Sequence, residues 1–163
     1  MKYDIYTDGS CVLSQNKGGY AFIMIDENGK TITEDHKPFK NTTNNRMELM
    51  AFLEGLLAAE KIVSVKDEIT IYTDSTYISS TFEQGWYKTW LRNGWKTANR
   101  VAVKNTDLWR KILFEYDRLT KTIAKLSIIH IKSHIGITFN EYVDRQANLW
   151  RITDEKDFII DQK

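Results

Sequence analysis

The sequence is poor in the residues that staple or interrupt a chain. Cys11 is the single cysteine in 163 residues, so no disulfide can form within the chain, and a disulfide-stapled scaffold is excluded. Pro38 is the single proline and the eight glycines are scattered, which leaves no Pro- or Gly-rich linker and no low-complexity tract. Long apolar runs are also lacking. The best candidate, Leu49 to Ala59, contains Glu54 and falls far short of the roughly 20 residues that cross a bilayer. Met1-Lys2-Tyr3-Asp4-Ile5 has neither the basic start nor the apolar centre of a signal peptide. The expectation is a free-standing cytoplasmic monomer with one folded domain over residues 1–151 and a polar, loose tail over 152–163. Hydrophobic residues make up 42% of the chain, which excludes a disordered chain and supplies a core.

Charge of one sign is scarce overall, with a net of +1, but the balance is uneven along the chain. Between Gln84 and Lys111 stand seven basic residues (Lys88, Arg92, Lys96, Arg100, Lys104, Arg110 and Lys111) against one acid, Asp107. That segment therefore carries a surplus of six positive charges, and the remainder is five negative. One region suits an anion, and the rest holds carboxylates that could hold cations.

The pattern of elements predicts an α/β fold. Tyr3–Thr7 reads as a strand stopped by Asp8-Gly9-Ser10, Gly19–Asp26 as a second, and Lys30–Lys37 as a polar third after the hairpin signal Asn28-Gly29. Arg46–Lys61 has apolar residues at helical spacing. Then come a strand at Glu68–Thr73, a short helix at Ser75–Phe82, a helix at Asp107–Thr122, a strand at Leu126–Lys132 and a helix at Asn140–Arg151. Short connections imply antiparallel neighbours and strand–helix–strand units imply parallel ones. A five-stranded mixed sheet flanked by helices, its first three strands antiparallel, meets both conditions.

Two strands end in nearly the same words: Ile5-Tyr6-Thr7-Asp8-Gly9-Ser10 and Ile71-Tyr72-Thr73-Asp74-Ser75-Thr76. If they lie side by side and parallel, Asp8 and Asp74 emerge at one sheet edge about 4.8 Å apart. Carboxylates that close repel unless a proton or cation lies between them. Glu48 has two readings, as a further carboxylate of such a site or as the closing residue of a capping box with Asn45. Asp144 lies one helical turn beyond Glu141, and spacing leaves its role open. His134, just past a strand, has the titration range of a proton shuttle, while His36 and His130 look structural.

These segments are similar to type 1 ribonuclease H, the compact cellular form. The resemblance rests on Tyr6-Thr7-Asp8-Gly9-Ser10, Thr42-Thr43-Asn44-Asn45-Arg46-Met47-Glu48-Leu49, Thr73-Asp74-Ser75, Gly94-Trp95-Lys96-Thr97, Val103-Lys104-Asn105-Thr106-Asp107-Leu108-Trp109, and Asn140-Glu141 followed by Asp144 and Ala147. They occur in the family's order and cover roughly residues 3–150. The resemblance implies a metal-dependent endonuclease that cuts the RNA strand of RNA–DNA hybrids, largely without sequence preference, leaving 5′-phosphate and 3′-hydroxyl ends. It implies two Mg²⁺ ions, with Mn²⁺ as a substitute, held by Asp8, Glu48, Asp74 and Asp144, and a catalytic role for His134. It further implies substrate contacts from Gly9, Cys11, Thr43, Asn44, Asn45 and Thr76, and from Trp86, Lys88, Trp90, Arg92 and Lys96 of the basic segment. Ser14 stands where the family often has a phosphate-binding Asn. The alternatives are a non-catalytic hybrid-binding module and another nuclease or transferase on the same fold. The full set of four acids argues against the first, and the Thr-Thr-Asn-Asn-Arg-Met-Glu run against the second.

Overall fold

A computed structural model describes residues 1–132 and 138–163. Its centre is a mixed sheet in the order β5-β4-β1-β2-β3-β6. The strands are β1 (Lys2–Val12), β2 (Lys17–Ile25), β3 (Thr31–Lys40), β4 (Glu68–Thr73), β5 (Lys125–His130) and β6 (Ile159–Ile160). The helices are α1 (Asn44–Glu60), α2 (Thr76–Glu83), α3 (Trp86–Arg92), α4 (Thr106–Thr122) and α5 (Thr138–Ala147). β1, β2 and β3 are successive antiparallel neighbours, whereas β4 joins β1, and β5 joins β4, in parallel.

Alternation of side chains across the sheet makes two cores. Ile5, Met24, Ile69 and Ile71 pack with Leu49, Phe52 and Leu56 of α1 and with Trp109 and Ile112 of α4. On the opposite face Tyr6, Ile23 and Ile25 pack with Val143 and Ala147 of α5. Helix α1 lies between the sheet and α4, which explains why it is buried nearly all round rather than along one stripe. Trp109 is fully buried, and its indole Nε1 donates to the Tyr77 hydroxyl at 2.7 Å, so the polar edge of this large ring has a partner.

Three expectations are corrected. Asp8-Gly9-Ser10 does not stop the first strand, because β1 runs on to Val12 with Asp8 paired to Ala21 of β2. The helix is capped by Thr43, whose side chain accepts from the Arg46 N–H at 3.2 Å, and not by Asn45. The basic segment begins as a helix, α3, which runs through Arg92. Gly94 and Trp95 then take positive φ and the chain returns through a Lys96–Ala102 bridge, so of the regularly spaced charges only Lys88 and Arg92 share a helix. Finally, the tail is not loose. Ile159 and Ile160 form the sixth strand beside Phe39 and Lys40, and Asp161 is buried.

Tyr77→Phe removes the acceptor of a buried indole N–H. The expected loss is about 1–3 kcal/mol of unfolding free energy, seen as a lower urea midpoint at unchanged slope. A midpoint equal to that of the parent protein refutes the assigned bond.

Candidate functional site

The parallel register of β1 and β4 ends at Tyr6 beside Tyr72, and Asp8 and Asp74 each lie two residues further along. The echoed strand ends are thus neighbours in space, at the carboxyl edge where parallel strands of α/β sheets tend to place sites. Helix α1 brings the third acid. A Cβ at Gly9 would lie 2.3 Å from the Glu48 backbone N and 2.5 Å from the Met47 carbonyl carbon. Only a residue without a side chain lets the first turns of α1 press onto β1 this closely. Carboxylate oxygens of Asp8, Glu48 and Asp74 consequently lie within 4.8 Å of one another. Since Thr43 holds the cap, Glu48 is not needed for a capping box.

Asp8 and Glu48 are buried, at 4% and 5% exposed. Burial, the Asp74 charge and a hydrogen bond with Asp144 together push the Asp8 carboxyl up to about 8 from its ordinary value of 3.8. Burial, then the charges of Asp8 and Asp74, raise Glu48 well above its usual range. The Glu48 Oε2 atom is buried without a hydrogen-bond partner among the described residues. A bare, buried acceptor beside two further carboxylates is costly unless a cation or a proton completes it. An all-oxygen set of this kind fits a hard divalent cation such as Mg²⁺ or Mn²⁺. Asp144, half-buried on α5, approaches the centre from the other face of the sheet through Asp8. His134 lies outside the described residues. His130, expected to be structural, places its Nε2 3.2 Å from the Asp74 carbonyl oxygen, a contact that only the fold reveals.

Two depressions flank this centre. One, of about 270 Å³, is lined by Asn44, Asn45, Glu48, Asp74, Thr76 and Tyr77. The other, of about 490 Å³, is lined by Asn45, Tyr77, Trp86, Trp90, Lys104 and Asn105, among others. Asn45 and Tyr77 belong to both and form the ridge between them. Trp86 is 45% exposed and Trp90 only 6%, so Trp90 is chiefly a core ring with one edge in the depression. Thr43 is half-buried as the cap, while Asn44, Thr76, Lys88, Arg92 and Lys96 are exposed. Cys11 is a half-buried free thiol whose Sγ is 3.7 Å from the Thr42 carbonyl oxygen. Ser14 sits exposed on a 3-10 turn, Leu13–Gln15. Asn105 and Tyr77 are groove residues that the sequence reading passed over. Asn105 lies in the Val103–Trp109 run of the sequence and precedes the first residue of α4.

Carboxylates converging from two parallel strands and a helix form an all-oxygen set that could hold a cation. The chain belongs to the RNase H family, whose model matches residues 1–150. It is 39% identical over 143 residues to the ribonuclease H of Rippkaea orientalis, covering 88% of this chain and 81% of that protein. It is likewise 39% identical over 158 residues to the ribonuclease H of Treponema denticola, covering 90% and 95%. The solved structure of LC11-RNase H1 in complex with an RNA/DNA hybrid is similar at a TM-score of 0.60 and 25% identity, covering 90% of this chain and 94% of that one.

The raised carboxyls make metal-free stability depend on pH. Unfolded Asp8 titrates near 4 and folded Asp8 near 8, so between these values the folded state holds the extra proton and stability falls as pH rises. The full penalty is present above pH 8. In EDTA the melting temperature should fall from pH 5 to pH 8, and a divalent cation should flatten that slope. Asp8→Asn should raise metal-free stability at pH 8 by roughly 2–4 kcal/mol. A flat profile in EDTA, or a destabilised Asp8→Asn, contradicts the assigned crowding.

Proposed function

We propose that the protein is a metal-dependent endoribonuclease that hydrolyses the RNA strand of RNA–DNA hybrids. The observation that carries this reading is the three-carboxylate centre of Asp8, Glu48 and Asp74, standing in a chain of the RNase H family. The hybrid bound to LC11-RNase H1 supports the choice of substrate.

Asp8, Glu48, Asp74 and Asp144 would hold two divalent ions, Mg²⁺ being the favoured metal and Mn²⁺ a substitute. Such a pair, when bound, supplies activation of a water for in-line attack on the phosphate and neutralisation of the departing 3′-oxygen. Cleavage in this sense leaves a 5′-phosphate and a 3′-hydroxyl. Asp8 is the central ligand, since both the neighbouring strand and α1 direct an acid towards it. His134 serves proton transfer at the leaving or attacking oxygen.

The two depressions divide the hybrid between them. Asn44, Asn45 and Thr76 line the depression beside the acids and, with Gly9 and Cys11, contact the RNA strand, whose 2′-hydroxyl groups distinguish it from DNA. Trp86 and Trp90 line the larger depression and, with Thr43, Lys88, Arg92, Lys96 and Ser14, take the DNA strand through its sugar and phosphates. None of these contacts needs a base edge, so cleavage is largely independent of sequence. We take the active species to be a monomer in the cytoplasm. Among the described residues no helix is long and apolar enough to cross a membrane.

Labelled RNA–DNA hybrid, RNA–RNA and DNA–DNA duplexes in Mg²⁺ test the reading. Only the hybrid should be cut. EDTA should abolish cutting, and Asp8→Asn or Asp74→Asn should lower it by more than about a hundredfold. Cutting that persists in EDTA refutes the metal mechanism, and cutting of DNA–DNA refutes the 2′-hydroxyl reading. In a separate binding measurement, Lys88→Ala with Arg92→Ala should weaken hybrid affinity and flatten the plot of log affinity against log salt by about one to two. An unchanged slope removes these side chains from the phosphate interface.

A further inference from the structure

The segment that carries Thr43, Asn44 and Asn45 is held from outside itself. Asn41 turns the chain from β3 into α1 at φ 60°. On either side of the three residues, anchors run to a single distant position. The Asp161 N–H donates to the Lys40 carbonyl at 3.0 Å, extending the short β6 pairing. Asp161 Oδ2 accepts from the Thr42 hydroxyl at 2.8 Å and from Arg46 Nε at 2.7 Å, and Oδ1 accepts from Arg46 Nη2 at 3.0 Å. The remaining edge of the same guanidinium donates to Asp107 through Nη1 at 2.9 Å and Nη2 at 2.7 Å, and to Asn105 Oδ1 at 3.3 Å.

Arg46 is 4% exposed and the Asp161 side chain 1%. Charges this deeply buried contribute little net stability compared with apolar packing of the same volume, but they fix orientation strongly. A guanidinium paired bidentately on two edges has its plane fixed, and with it the rotation of the first turn of α1. That turn bears Asn44 and Asn45 on its exposed side and Glu48 one step further along.

We propose that Asp161 is a positioning residue for substrate recognition. Through Thr42 and Arg46 it fixes the turn that presents Thr43, Asn44 and Asn45 to the nucleic acid. The same clamp couples this turn to Asn105 and Asp107 at the start of α4, so Asn45 and Asn105, which both line the larger depression, are tied to one carboxylate. This rests on the reading of the groove as a hybrid-binding surface.

Asp161→Asn keeps the shape and removes the charge. Expected is a KM, and a hybrid Kd in EDTA, about tenfold higher, with kcat at saturation within about twofold of the parent. Amide exchange without nucleic acid should quicken at Arg46 and Met47, whose N–H groups depend on the Thr43 cap, and stay unchanged at Ile71 of β4. Arg46→Lys, which keeps the charge but not the fork, should show the same rise in KM. A lower melting temperature with unchanged KM, Kd and Arg46–Met47 exchange would make Asp161 merely structural and overturn the proposal. Should Asp161→Asn fail to fold, Thr42→Val decides, because it deletes one bond and leaves the ion pair. A rise of about twofold or more in KM with faster Arg46 exchange supports positioning, and no change in either refutes it. If the parent protein binds hybrid no better than duplex DNA, the functional reading falls instead, and the exchange experiment still decides whether Asp161 sets this turn.

Discussion

The site depends on a helix being allowed to touch a strand. At Gly9 the backbone of α1 comes so near β1 that no side chain fits between them, and this contact carries Glu48 into the company of Asp8 and Asp74. The same contact dries the site. Asp8 and Glu48 lose water on the side where α1 sits, and repulsion between acids rises as the surroundings become less polar. The molecule accepts a local instability, held down by the two cores on either side of the sheet, so that a cation finds a set of oxygens already converged.

The two faces of the sheet then have distinct duties. The larger core, with α1 and α4 stacked over it, sets the distance between the acids and the aromatic and cationic arm. The smaller core beneath α5 brings Asp144 to the opposite side of Asp8. A centre assembled from both faces and from two adjacent strand ends is held in three dimensions by packing.

Much of this was legible in the sequence because it is local. The repeated Ile-Tyr-Thr-Asp announces two equivalent strand ends, and the parallel pairing of Tyr6 with Tyr72 gives it the expected meaning. Errors arose where local chemistry had two solutions. Asp8-Gly9-Ser10 has the composition of a turn, but its glycine serves a close approach and the strand continues. Thr43 and Asn45 are both good caps, and the choice of Thr43 follows from where β3 delivers the chain. The least legible feature was the tail, since a single buried aspartate among polar residues has no signature. Its partner Arg46 lies 115 positions away, beyond the reach of any pattern argument.

That separation has a consequence for how the protein comes into being. A chain growing from its first residue acquires Asp8, Glu48, Asp74 and Asp144 in turn, and the sheet from β1 to β5 closes through contacts of shorter span. The carboxylate that orients Arg46 emerges only after all of them. A growing chain therefore holds Asp8, Glu48, Asp74 and Asp144 before Arg46 can meet the carboxylate that pairs with it.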